Sequence, residues 1–189
     1  MEILRKIYFF FLDTMQTILL AASIFLVIYI FLFRPFQVSG ESMFPTFKNK
    51  EYILTNLITL RFSNSKKGDV IVFKAPTDSE KDFIKRIIGI AGDSVLLKEG
   101  FVYVNGKKLD EHGYLGNDVR TYGGGFLQED DPVIVPDGEY FVMGDNRPFS
   151  SDSREWGFLK QKDIIGKSFF VYWPINKMRL VKNPFSSSK

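Results

Sequence analysis

Cysteine is absent, and histidine occurs once, at His112. The first absence excludes a disulfide scaffold, thiol catalysis and a thiolate metal site. The second excludes a histidine-rich metal centre. Lack of cysteine agrees with an oxidising, extracytoplasmic location without requiring one. A strong excess of one charge is also missing: 25 Lys+Arg face 22 Asp+Glu, a net +3. That is too weak and too spread out for a nucleic-acid partner. Beyond residue 50 no long segment has helical periodicity. What remains is a chain of 189 residues that is 45% hydrophobic. It is neither disordered nor a multi-span membrane protein, and it is long enough for one domain with a core. The 20 phenylalanines suit core packing or apolar contacts with lipid near an anchor.

One long hydrophobic run is present. Met15–Phe33 reads MQTILLAASIFLVIYIFLF, 19 residues without a charge, about the ~20 needed to cross a hydrocarbon core. Asp13 precedes it and Arg34-Pro35 closes it. A cleavable leader has a shorter apolar region of ~7–15 residues, so the run predicts an uncleaved anchor, although Val38-Ser39-Gly40 has the small residues of a cleavage site. Arg5 and Lys6 on one side, with Arg34, Lys48 and Lys50 on the other, leave the topology undecided by positive charge.

The rest of the chain alternates short runs rich in Val, Ile, Phe and Tyr with turn residues. The runs are 52–58, 70–74, 83–90, 94–98, 101–104, 133–135, 140–143 and 168–173, separated by stretches such as SKKGD, AGD, KEG, NGKK and PDGE. They predict a mainly β protein: one membrane helix, then an all-β domain of short coiled strands. Residues 105–131 are polar and Gly-rich, a loop insertion or small subdomain, and the triple glycine at 123–125 suggests mobility.

Several motifs lead nowhere. Ser63-Asn64-Ser65-Lys66 fits S-x-x-K but lacks its companion motifs. Gly166-Lys167-Ser168 lacks the earlier glycine of a phosphate loop, since residue 161 is Gln. Glu129-Asp130-Asp131 reads as a solvated cluster, and Asp145, Asp152 and Glu155 match no metal loop in spacing. No metal and no cofactor is expected.

Two stretches carry chemistry. SGESMFPTF, 39–47, places Ser42 nine residues beyond Phe33, within ~30 Å of the end of the span even if fully extended. DFIKRIIGIAGD, 82–93, reads as a strand. On it Phe83, Lys85 and Ile87 share one face, and Ile84, Arg86 and Ile88 the other. Apolar neighbours strip water from the Lys85 ammonium and lower its pKa. A drop of about 2–3 units from ~10.4 makes it a base near neutrality. A lysine that snorkels to water is the structural alternative. A third stretch, GDNRPFSSDSREWG at 144–157, offers Asp152 as counter-ion for Arg86 and Ser150 as a hydroxyl to orient a neutral lysine.

Together SMFPT, KGDVIVF at 67–73, FIKRIIGIAGD, GDNRPFSSDSR and the anchor resemble the type I signal peptidases, the bacterial leader peptidases, over nearly the whole chain. The resemblance implies a Ser–Lys serine endopeptidase with Ser42 as nucleophile and Lys85 as general base. Ser150 matches the serine that orients the lysine, and Arg86 and Asp152 match a structural ion pair. Arg154 and Asp145 are further supporting residues of the same motif. Gly40 stands where Gram-negative members carry an oxyanion-hole serine, so stabilisation falls to backbone N–H groups at Gly40 and Ser42. Pro148-Phe149 replaces a more polar pair, and a lysine base distinguishes the chain from the endoplasmic-reticulum type. Met43, Phe44, Phe83 and Ile84 are expected to wall shallow substrate pockets. The implied organisation is a short cytoplasmic segment, 1–14, an anchor, 15–34, and an extracytoplasmic peptidase domain, 35–189, in the cell membrane. Its partners would be preprotein signal peptides, lipid and, by proximity, the secretion translocon. Against this stand a self-cleaving repressor-type Ser–Lys protease, which the anchor disfavours, and a membrane-tethered, non-enzymatic β domain that binds extended peptides.

Overall fold

The computed structural model describes residues 1–57, 65–116 and 118–186. Residues Met1–Arg34 and Pro35–Lys189 form two compact units. The first is essentially one helix, α1 (Glu2–Leu32), of which Glu2–Val27 is long and apolar enough to cross a membrane. It starts well before the uncharged run at Met15, because Glu2, Leu4, Arg5, Lys6, Leu12 and the residues around them tolerate or favour helix and no Gly or Pro interrupts them.

The second unit is two antiparallel sheets. The strands in chain order are β1 (Phe33–Gln37), β2 (Tyr52–Asn56), β3 (Val70–Ala75), β4 (Asp78–Ile90), β5 (Ser94–Lys98) and β6 (Phe101–Val104). They continue with β7 (Lys107–Lys108), β8 (Val133–Ile134), β9 (Glu139–Met143), β10 (Leu159–Lys160), β11 (Ile164–Trp173) and β12 (Arg179–Leu180). The larger sheet runs β1-β2-β11-β3-β4-β9-β10, with β12 on β11, and the smaller runs β7-β6-β5-β8. The β-rich expectation holds. Each of the eight apolar runs contains a strand, although β2 stops at Asn56 and β8 at Ile134, short of Leu57 and Val135; residue 58, the end of the first run, lies outside the described residues. The strands β7, β10 and β12 are two residues long and carry no periodicity to read. A one-turn helix, α2 (Ser153–Trp156), starts at Asp152, whose carboxylate accepts from the Arg154 N–H at 3.2 Å, the usual role of an N-cap aspartate.

Three apolar clusters hold the unit together. One, with Val38, Met43, Phe47, Ile53, Val70 and Val72, lies beneath the β1–β2 loop. A second centres on Ile71, Phe73, Ile87, Tyr140 and Val142. The third, with Ile88, Val95, Leu97, Leu127 and Phe141, joins the two sheets. Burying such side chains contributes about 1.5–3 kcal/mol each. Leu127 belongs to the 105–131 segment and is fully buried, so this segment is not a free loop. Two of its three glycines are sites of close packing: a Cβ on Gly123 would sit 2.8 Å from the Leu127 carbonyl oxygen and one on Gly124 2.5 Å from the Arg154 carbonyl oxygen.

β4 is the element that positions the site. Along Asp78–Arg86 it pairs with β3, and from Arg86 to Ile90 with β9. The Asp78–Lys85 half therefore has one paired edge and one open edge among the described residues. A register shift between Ile87 and Gly89 bends the strand where β9 joins it, the usual effect of an extra residue in a ladder.

Candidate active site

Ser42 lies on the β1–β2 loop and Lys85 on β4, 43 residues apart in sequence, and Lys85 Nζ is 2.8 Å from Ser42 Oγ. That contact is the lysine's single hydrogen bond, and no ion pair reaches it among the described residues. Its side chain passes the Phe83 ring, with Nζ 5.1 Å from the centroid, and the residue is 3% exposed. Burial pushes the ammonium down to about 8, Asp152 and Asp145 oppose the shift, and Arg154 assists it. Strand alternation puts Lys85 and Phe83 on one face, as expected from the sequence.

The serine loop is held from below and from the side. Met43 and Phe47 enter the core at 1% and 0% exposure. The Phe47 N–H donates to the Met43 carbonyl at 2.8 Å and the Phe44 N–H to Glu41 at 3.0 Å. From the side, the Asn146 N–H donates to the Ser42 carbonyl at 3.0 Å, and its amide donates to the Glu41 carbonyl at 3.0 Å. A Cβ on Gly144 would meet Ser150 Oγ at 2.2 Å and the Ser42 carbonyl oxygen at 2.5 Å. Only glycine fits between them. The Ser42 N–H has no partner among the described residues. The Gly40 N–H donates to Asn49 Oδ1 at 3.2 Å, so this donor, expected for an oxyanion, is already engaged. Gly40 has φ +92, a conformation that suits glycine.

The arginine–carboxylate pairing differs from the expectation. Arg86 does not pair with Asp152. It makes a bidentate contact with Asp145, Nε to Oδ1 at 2.9 Å and Nη2 to Oδ2 at 2.7 Å, and both side chains are 1% exposed. Asp145 also accepts from Thr46 Oγ1 at 2.5 Å. Asp152 pairs instead with Arg154, Nε to Oδ1 at 2.8 Å and Nη2 to Oδ2 at 2.9 Å. The physical reason is chain geometry. As the N-cap of α2, Asp152 is turned toward its own helix, and Arg154 is the guanidinium within that turn. Ser150 Oγ donates to Asp152 Oδ2 at 2.8 Å, so its proton is aimed at the carboxylate and no bond to Lys85 forms. Asp152 also accepts from the Gly144 N–H at 2.9 Å and joins Ser150 to the strand end that flanks Ser42. No metal-binding cluster exists among the described residues, and the acidic side chains near the site are consumed by arginine. The S-x-x-K stretch at 63–66 lies partly outside the described residues.

A cleft of about 380 Å3 opens beside the pair. Its lining includes Phe36, Val38, Ile53, Val72, Phe83 and Ile84, together with Ser42 and Lys85. Phe83 and Ile84 are where the sequence reading expected them. Met43 is a correction: it packs under the cleft, in the core. Phe44 is another: it is 47% exposed and does not line the cleft. In this tight loop the residues after Ser42 in sequence turn away from the cleft, whereas residues from several strands of the larger sheet converge on it. Phe36, Ile53 and Val72 went unread because each belongs to a different strand, and nothing local links them to Ser42. Asn146 and Gly144 sat inside a motif already quoted.

The comparisons with known proteins agree on a family. The family model described as signal peptidase, peptidase S26 matches residues 11–173. A signal peptidase I S from Bacillus subtilis (strain 168) is 41% identical over 172 residues, 89% of this chain and 92% of that protein. A signal peptidase IB from Staphylococcus aureus (strain MRSA252) is 34% identical over 186 residues, 91% of this chain and 96% of that protein. The crystal structure of a signal peptidase I from Enterococcus faecalis V583 matches with a TM-score of 0.45 at 30% identity, covering 56% of this chain and 97% of the other. With a family match across most of its length and relatives above one third identity, this chain belongs to the signal peptidases of peptidase family S26.

Proposed function

We propose that the protein is a membrane-anchored serine endopeptidase that removes N-terminal signal peptides from exported preproteins, with Ser42 as nucleophile and Lys85 as general base. The observation that carries the reading is the 2.8 Å contact of Ser42 Oγ with a lysine whose burial brings its pKa to about 8. Neutral Lys85 takes the Ser42 proton as Oγ attacks the scissile carbonyl. Charge that develops on the carbonyl oxygen is met by the Ser42 N–H, a donor without another partner among the described residues. The lysine, now an ammonium, gives the proton to the departing amine. It then takes a proton from the water that hydrolyses the acyl-enzyme and returns one to Ser42.

An extended substrate pairs with the open edge of β4 in this reading, as peptides do at unpaired sheet edges. The apolar cleft beside Ser42 takes small side chains before the cut, the A-x-A-like pattern of cleavage sites. A larger group would displace packed atoms, at about 1–3 kcal/mol. The helix α1 anchors the enzyme, with the β unit on the extracytoplasmic face of the cell membrane, next to lipid and near the secretion translocon. Ser42 then stays at the depth where a signal peptide leaves its own apolar segment.

The test is cleavage of a purified precursor in detergent, with a peptide panel varied immediately before the bond. Alanine is turned over and phenylalanine is not. Equal turnover of the two overturns the specificity reading. Binding without Ser42-dependent cleavage favours a tethered, non-enzymatic β domain.

A further inference from the structure

The Gly144–Arg147 segment faces Ser42 on one side, and on the other it is gripped by residues far from any motif read for chemistry. Arg147 is 1% exposed. It donates from Nε to the Gly144 carbonyl at 3.1 Å, and from Nη1 to Thr121 Oγ1 at 2.7 Å and Glu111 Oε2 at 3.2 Å. Nη2 closes the fork on Glu111 Oε1. Tyr114 Oη donates to Glu111 at 2.6 Å. Burial pushes this phenol well above its usual range, so it remains the neutral donor. The same ring lies under Arg86, with the guanidinium carbon 4.4 Å from its centroid. Tyr114 Oη also accepts from Arg147 Nη2 at 3.4 Å, so Tyr114 touches both arginines that frame the segment: Arg86, which holds Asp145, and Arg147, which holds Gly144.

A buried guanidinium–carboxylate pair is poor grounds for stability as such, since apolar replacements often match it. Its orientation does something an apolar pair cannot. Nε of Arg147 fixes the carbonyl of Gly144, the residue squeezed between the Ser42 carbonyl and the Ser150 hydroxyl. Asn146, one residue before Arg147, carries the N–H that holds Ser42. Arg147 is thus linked to the serine loop on both sides, through the Gly144 carbonyl and through the N–H of its neighbour Asn146.

We propose that Glu111 and Tyr114 are positioning residues for hydrolysis at Ser42: they hold Arg147, and Arg147 holds the Gly144–Asn146 segment, just after β9, against the serine loop. The inference rests on the Ser42–Lys85 reading above. Neither residue lines the cleft, so substrate binding is left alone.

The experiment uses the full chain in detergent, with kcat and KM measured on a peptide with alanine before the bond. Folded fraction is read by near-UV circular dichroism, and the pH profile is recorded. Glu111→Gln lowers kcat per folded molecule about tenfold, as small misplacements of reacting groups do. KM stays within twofold, and the acid limb stays near pH 8. Tyr114→Phe, which keeps the ring under Arg86, gives a smaller loss of the same kind. Glu111→Gln combined with Arg147→Met removes both charges and recovers the fold, yet kcat stays low because Gly144 has lost its donor. If Glu111→Gln does not fold, the last two variants decide. Full kcat in folded Glu111→Gln or Tyr114→Phe, or recovery of kcat in the double variant, overturns the proposal by reducing the cluster to charge compensation. Ser42→Ala run alongside separates the readings: its residual cleavage would remove the mechanism itself, whatever Glu111 does.

Discussion

The two faces of β4 treat adjacent cations in opposite ways. On one, Lys85 has a single hydrogen bond and no counter-ion in contact among the described residues. On the other, Arg86 donates twice to Asp145, once to the Gly68 carbonyl at 2.8 Å and once to Thr46 at 3.3 Å. Both are almost fully buried. The guanidinium fork of Arg86 is matched by acceptors on Asp145, Gly68 and Thr46. Lys85 loses hydration without a matched partner, so its neutral form is favoured. The same strand therefore holds a structural cation and a group suited to proton transfer, separated by one peptide bond and a change of face.

The comparison is broken most severely at the lysine face. Ser42→Ala or Lys85→Met is expected to abolish precursor cleavage, by three orders of magnitude or more, and the double variant is no worse because the pair acts as a unit. Lys85→Arg fails as well, since a guanidinium is no base. Measurable turnover by Lys85→Arg would contradict the assignment.

Stability separates the faces by sign. Arg86→Met leaves Asp145 buried without its cation, and about 3–5 kcal/mol is expected to be lost in denaturant unfolding. Lys85→Met removes a charge that burial disfavours. With 10.5 in the unfolded chain and about 8 in the fold, about 3 kcal/mol is regained below pH 8. If both substitutions destabilise equally at pH 7, the two surroundings are not as different as drawn.

The pH dependence follows from the same shift. Lys85 binds more proton in the unfolded chain than in the folded one between about 8 and 10.5, so its contribution to stability rises with pH across that window. Cleavage rises with pH through about 8 as the amine becomes neutral. A profile of kcat/KM whose acid limb lies near 10 would show that Lys85 is not desolvated in the working enzyme.

The smallest effect is expected behind Ser42. Gly144→Ala adds a methyl where 2.2 Å separates it from Ser150 Oγ. Overpacking of this kind costs about 1–3 kcal/mol, with a drop in kcat larger than the change in KM. Gly106→Ala, where nothing lies within 4 Å but φ is +73, is the control for backbone strain alone.

Much was legible before any coordinates. Hydrophobic run length marked the second half of α1, short apolar runs between turn residues marked β2 to β6, and period-two alternation along 82–93 placed Phe83 beside Lys85, because these signals are local. The partners of the charges were not legible. Asp145 and Asp152 lie seven residues apart in one motif, and either satisfies Arg86 on paper. The choice depends on α2, whose single turn points Asp152 at Arg154 and leaves Asp145 facing β4. Likewise the sequence marks Ser42 by its neighbours, but which residues wall the cleft depends on how β1, β2, β3 and β4 lie in the sheet. The 105–131 segment shows the same limit most fully. Its composition is polar and Gly-rich, and composition alone marked no more than a loop insertion or small subdomain. That Glu111, Tyr114 and Thr121 close around Arg147, and that Gly124 lies against the Arg154 carbonyl, was decided in three dimensions. Hydrogen bonds between side chains far apart in sequence leave no period to read, and a glycine needed for close approach is indistinguishable, in sequence, from one that bends freely.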